Sequence, residues 1–196
     1  DSRLRGQRSR KPIGFRLWAV HRNNIQNEKE VLELLLDFTS SAIGSLTNPT
    51  KLSRRFLSEK QINISSNTIS RYLTYFEEAY VIYHANRYDL KGARYFSIPL
   101  KYYFADIGLR NARLNFRQVE ETHIMENIIY NDLIRRGYNI DDGVIEYDFK
   151  KGENRRKVQL EVDFVINKGY KRYYIQSALN VDSIEKKEQE TVSLKK

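Results

Sequence analysis

From residue 28 onward the apolar positions fall at regular intervals. Val31, Leu32, Leu34, Leu35, Leu36 and Phe38 recur at helical spacing, which predicts a helix over about 28–43 ended by Gly44. A second helix is predicted over 48–60: Asn48 is its N-cap, Pro49 takes the first turn, and Leu52, Phe56 and Leu57 form its apolar face. Ser65 or Ser66 caps a third, with Ile69, Leu73 and Phe76 turned inward. The β-branched pair Val81–Ile82 then opens a strand. RYDLKGAR at 87–94 reads as a charged turn and YFSI at 95–98 as the returning strand. Three helices followed by a hairpin with a basic tip is the layout of a winged helix.

The second half carries a different pattern. KYYFADIGLRN at 101–111 reads as an aromatic strand, an Asx-turn at Asp106 and a short helix. Residues 120–136 form a helix ended by Gly137, with Glu126 on the same face as Ile129 and Leu133. A carboxylate on an apolar face requires a cation, a donor or a metal. Three strands follow at about 144–149, 157–166 and 171–179, with turns at Lys151–Gly152 and Lys168–Gly169. In the middle strand Val158, Leu160, Val162, Phe164 and Ile166 point one way, and Gln159, Glu161 and Asp163 the other. Tyr174, Gln176 and Ala178 share a face of the last. The fold class expected is α+β.

Charge changes this picture only locally. The chain carries +9, yet residues 1–22 hold seven Lys or Arg against one Asp, so the rest accounts for only +3. Residues 1–24 show no sustained periodicity and read as a basic, irregular tail. Without cysteine there is no disulfide and no thiolate zinc site, and His21, His84 and His123 lie far apart. Charge interrupts every apolar run, so no span or signal peptide is read and a cytoplasmic protein is expected.

Two candidate sites emerge. Thr68, Arg71, Thr74 and Tyr75 are placed on the outward side of the third helix, where hydroxyls and a guanidinium suit phosphates and base edges; Arg87, Lys91 and Arg94 are placed on the wing, towards the DNA backbone. The same trio of helices also serves protein contacts, and Glu77 and Glu78 close the third helix. His123 and Glu126 stand at i and i+3, a spacing that metal carboxylate proteins use, although such a pair is more often solvated.

KYYFADIGLRN, ETHIMENIIYNDLIRRGYNI and LEVDFVI…YYIQSAL together resemble the C-terminal region of a large prokaryotic family of AAA-type P-loop ATPases. The resemblance covers about residues 22–196. It implies a winged helix at 28–98, followed at 100–196 by a domain of unknown function with a restriction-endonuclease-like, PD-(D/E)xK-type fold. Residues 1–21 do not resemble the end of an ATPase domain, and no GxxxxGK[ST] is present. ATP and its Mg²⁺ would therefore belong to an ATPase domain absent from this chain, which is expected to be truncated at both ends.

The resemblance also implies a site. Such nucleases use a helix Glu, a strand Asp and a Glu-x-Lys on the next strand; the strand carboxylates hold Mg²⁺ and the lysine serves the attacking water. Carried over, Glu126 takes the helix position, Asp163 the strand position, and Gln176-Ser177-Ala178 the third motif. Gln176 removes a charge and Ala178 removes the ammonium, so a degenerate site is expected. Rescue would need Glu161 beside Asp163 as metal ligand and a lysine from elsewhere, such as Lys171, Lys186 or Lys187. The function expected is a DNA- or partner-binding arm; the alternatives are a divalent-metal-dependent DNA nuclease and a protein-interaction scaffold that meets no DNA.

Overall fold

A computed structural model describes residues 29–117, 120–151 and 154–180, with 182, 187, 188, 191, 192 and 194 beyond. The basic stretch 1–24 and Lys186 lie outside the described residues. Among the described residues, five helices and five strands follow one another: α1 (Lys29–Ser41), α2 (Pro49–Lys60), α3 (Ser66–Glu78), β1 (Ile82–Asp89), β2 (Arg94–Phe104), α4 (Ile107–Arg113), α5 (Glu121–Arg135), β3 (Ile140–Lys151), β4 (Asn154–Lys168) and β5 (Lys171–Ile175). The architecture is mixed α+β.

The predicted caps form. Asn48 Oδ1 accepts from Lys51 N at 2.7 Å, Ser65 Oγ from Thr68 N at 3.1 Å, and Asp106 Oδ1 from Gly108 N at 2.7 Å. Gly44 follows α1 at φ +68°, a conformation that glycine adopts without steric cost. The apolar stripes of α1–α3 meet in a core of Leu35, Ile43, Phe56, Ile69 and Phe76, to which Val81, Ile82 and Phe104 add the first turns of the sheet.

The five strands form one sheet in the order β2-β1-β3-β4-β5. β1 and β3 are parallel and every other neighbouring pair is antiparallel. The boundary read near residues 98–100 therefore falls inside β2, and the hairpin of the first segment continues into the strands of the second.

Two irregularities depart from simple alternation. Ala85 faces Lys101 whereas Arg87 faces Phe96, so residues 97–100 of β2 leave the ladder. Pro99 has no N–H to contribute there, and Leu100 pairs instead with Thr47, N–H to C=O at 2.9 Å in both directions. YFSI and the aromatic strand, read as separate, are thus one interrupted strand. In β4, Asp141 faces Val165 and Gly143 faces Val162, leaving Asp142 opposite both Asp163 and Phe164. This bulge corrects the predicted alternation. Phe164 and Ile166 pack with Tyr103, Tyr130 and Leu133 under α5, whereas Val162 and Val165 join Ile145.

β5 is also shorter than the expected 171–179. The Ser177 N–H, which a longer strand would engage in its ladder, donates to Asp163 Oδ2 at 2.7 Å. Gln176 and Ala178 consequently lie beyond the strand end.

Candidate functional site: a closed ionic cluster

α5 brings Glu126 against the sheet, and the β4 bulge keeps Asp163 on the same side. Between them lies Lys101, a β2 residue that the periodicity marks only as part of an aromatic strand. Its Nζ stands 3.2 Å from Glu126 Oε1, 3.4 Å from Asp142 Oδ1, 3.7 Å from Glu161 Oε2 and 3.9 Å from Asp163 Oδ1. Arg87 adds a second cation, with Nη2 3.3 Å from Glu161 Oε1 and Nε 3.8 Å from Asp142 Oδ2. Four carboxylates thus face two cations.

Each partner is fixed further. The Tyr103 hydroxyl donates to Glu126 Oε1 at 2.6 Å, and the Ser177 hydroxyl to Asp163 Oδ2 at 2.6 Å. Gly44 matters here as well: a Cβ would come within 2.8 Å of His123 Nδ1 and 3.2 Å of Glu126 Oε2. His123 Nδ1 is 3.8 Å from that Oε2, so the i, i+3 pair does approach.

Burial sets the electrostatics. It pushes the Asp142 carboxyl up to about 7, against the opposing pull of Lys101, and neither Asp142 oxygen has a hydrogen-bond donor. Glu126 is also raised by burial, with Lys101 and the Tyr103 hydroxyl working against the shift. Burial draws the Lys101 ammonium down, but Asp142, Glu126, Glu161 and Asp163 outweigh it and hold it above the ordinary lysine value. Lys101 therefore stays charged.

Access is decisive for chemistry. The side chain of Asp142 is fully buried, those of Lys101, Glu126 and Asp163 are 5%, 8% and 12% exposed, and only Glu161 reaches solvent, at 37%. Among the described residues, no group of three or more His, Asp or Glu is disposed to hold a metal ion. The Lys101 ammonium stands beside both carboxylates expected to hold Mg²⁺, Asp163 and Glu161.

The expected DNA-facing residues separate into two groups. Arg71 and Thr74 are exposed on α3, in one stripe with Asn67, Ser70 and Glu78. Thr68 is half-buried with its hydroxyl 2.9 Å from Ser65 Oγ, and Tyr75 packs on the helical core. On the hairpin, Lys91 and Arg94 are exposed, and Arg94 pairs with Asp89 at 3.2 Å. Arg87 is not at the tip. It is 7% exposed, inside the cluster, because β1 runs on to Asp89 before turning. Of the lysines considered as replacements for Ala178, Lys171 is exposed at the β5 hairpin and Lys187 is exposed as well; the acids are reached instead by Lys101, which was not among them.

Sequence periodicity missed Lys101, Asp142 and Asn127. A signal for the first existed: in KYYF the period of two puts Lys101 on the face of Tyr103.

Residues 20–120 match the family model described as a domain of unknown function, DUF8612. An uncharacterized protein of Haemophilus influenzae is 30% identical over 162 residues, which covers 83% of this chain and 37% of that protein. An uncharacterized protein of Methanocaldococcus jannaschii is 28% identical over 150 residues, covering 72% and 33%. The chain spans about a third of the length of these curated relatives. No solved structure matches it. No helix among the described residues is long and apolar enough to cross a membrane.

Proposed function

The chain belongs to the DUF8612 family, and from that premise we propose that it is the DNA-binding arm of a larger ATPase, with a nuclease-like site that no longer cleaves. In this reading α1–α3 and the β1–β2 hairpin act as a winged helix, and α5 with β3–β5 acts as a degenerate restriction-endonuclease-like unit. More than half of each relative lies outside the matched stretch, length enough for a nucleotide-binding domain. ATP hydrolysis, with its Mg²⁺, belongs to that part.

The observation that carries the reading is the closed cluster. A scissile phosphate must reach the carboxylates, yet all but Glu161 are nearly or fully buried around Lys101. Of the expected DNA-facing residues, Arg71 and Thr74 on α3 and Lys91 and Arg94 on the hairpin remain accessible. A second reading, an active nuclease, draws on one fact: Lys101 supplies from β2 the ammonium that Ala178 lacks.

Duplex binding measured across salt tests the arm. Arg71→Ala should lower the slope of log affinity against log salt by about one unit and leave folding unchanged. An unchanged slope and affinity would remove α3 from the interface and favour a role in protein contacts.

A further inference from the structure

The opposite side of the sheet holds a separate feature. Tyr88, Tyr95, Asp141, Asn167 and Arg172 line a cavity of about 240 Å³. The rings of Tyr88 and Tyr95 lie 4.9 Å apart, and the Arg172 guanidinium stands 5.3 Å over Tyr88. Arg172 Nε donates to Asn167 Oδ1 at 3.1 Å, which holds the guanidinium beside the opening. The Tyr95 hydroxyl donates to Asp141 Oδ2 at 3.0 Å.

The β4–β5 hairpin extends this surface. Its turn residue Tyr170 is 95% exposed, with Lys171 Nζ 5.8 Å above its ring. Tyr174 is 47% exposed and stands opposite Val165, which also lines the cavity. Between Asp163 and Asp182 the chain carries Lys168, Lys171 and Arg172 and no acid. Exposed rings interleaved with cations, beside a cavity small for a drug-sized ligand but roomy enough for one ring system, match the chemistry of an unpaired, stacked and charged strand.

We propose that this face and the tip of its hairpin bind single-stranded nucleic acid, with bases stacked on Tyr170 and Tyr174, one base in the Tyr88–Tyr95 cavity, and Lys171 and Arg172 on the phosphates. A duplex keeps its base faces stacked inward, so it gains nothing from the tyrosines. The proposal rests on the reading of the chain as a nucleic-acid binder, but it uses a different surface from α3.

The test is binding of a fluorescent oligodeoxycytidylate, and of a duplex in parallel, by the full chain and its Tyr170→Ala, Arg172→Ala and Arg71→Ala variants. Tyr170→Ala should weaken single-strand binding about tenfold, and Arg172→Ala should reduce its salt slope by roughly 0.7. Duplex affinity should change less than about twofold in Tyr170→Ala, and Arg71→Ala should show the reverse pattern. Tyr170 is nearly fully exposed, so its removal leaves the fold intact. Single-strand affinity indifferent to both hairpin variants would overturn the proposal, as would losses equal for single strand and duplex. An Arg71→Ala variant with no effect on the duplex would instead sink the α3 interface and leave this one standing.

Discussion

Lys101 Nζ and Asp142 Oδ1 lie 3.4 Å apart where neither side chain is more than 5% exposed. The pair is not isolated, since Glu126 and Asp163 share the same ammonium. Taking charges out of water is costly, and here the arrangement is tolerable because one cation serves several acids at once.

Removing that cation should be severe. Lys101→Met leaves Arg87 alone against four carboxylates, and breaking a buried pair of this kind costs about 3–5 kcal/mol. Part of that loss should return on acidification, as Asp142 and Glu126 take up protons. Urea unfolding at acid and neutral pH measures both. A Lys101→Met protein as stable as wild type at neutral pH would contradict the cluster.

The pH dependence has a definite sign. Asp142 titrates near 7 when folded and near the ordinary aspartate value when unfolded, so the native state binds the extra proton between them. Stability therefore falls as pH rises from about 4 to 7 on account of this group. His84, raised by its hydrogen bond to Glu77, adds to the trend: its contribution is full below the unfolded histidine value and is lost as pH rises through the folded one. Asp89 opposes them at the acid end. The Gly92 N–H lowers its pKa, so its contribution is lost only as pH falls through that lowered value. Asp142→Asn should flatten the slope of unfolding free energy between pH 4 and 7, and an unchanged slope would contradict the assignment.

Asn127 acts as a strand partner made from a side chain. Its Oδ1 accepts from Phe104 N at 2.7 Å and its Nδ2 donates to Phe104 O at 2.8 Å, both fully buried. Asn131 Nδ2 also reaches that carbonyl, at 2.9 Å, so the N–H is the group that Asn127→Ala would orphan. The expected cost is about 1–3 kcal/mol. Amide exchange at Phe104 should accelerate more than at its β2 neighbours. Equal protection in the variant would show that the end of β2 does not depend on this pairing.

Element identity was readable because local rules sufficed for it. Asn48, Ser65 and Asp106 cap as their residue types require, and the stripes of Leu35, Phe56 and Ile69 point inward as their spacing predicts. The site was less legible because it depends on register. A bulge opposite Asp142 decides which way Phe164 faces, and the departure of residues 97–100 decides where Lys101 lands. Glu126 could be named in advance, since an acid on an apolar face advertises a need for a partner, and Asp163 through the family resemblance. The partner, contributed by a strand that runs across the expected boundary, could not. Arg87 shows the same limit: three residues of extra strand, 87–89, carry it from an expected wing tip into the cluster.

Cleavage of supercoiled and single-stranded DNA with Mg²⁺ or Mn²⁺ tests the central claim most directly, with wild type beside Asp163→Ala and Lys101→Ala. The closed cluster predicts no cleavage by the folded wild-type chain. Cleavage by wild type would contradict it, and its loss in both variants, each shown to be folded by circular dichroism, would make Lys101 the working ammonium of a nuclease.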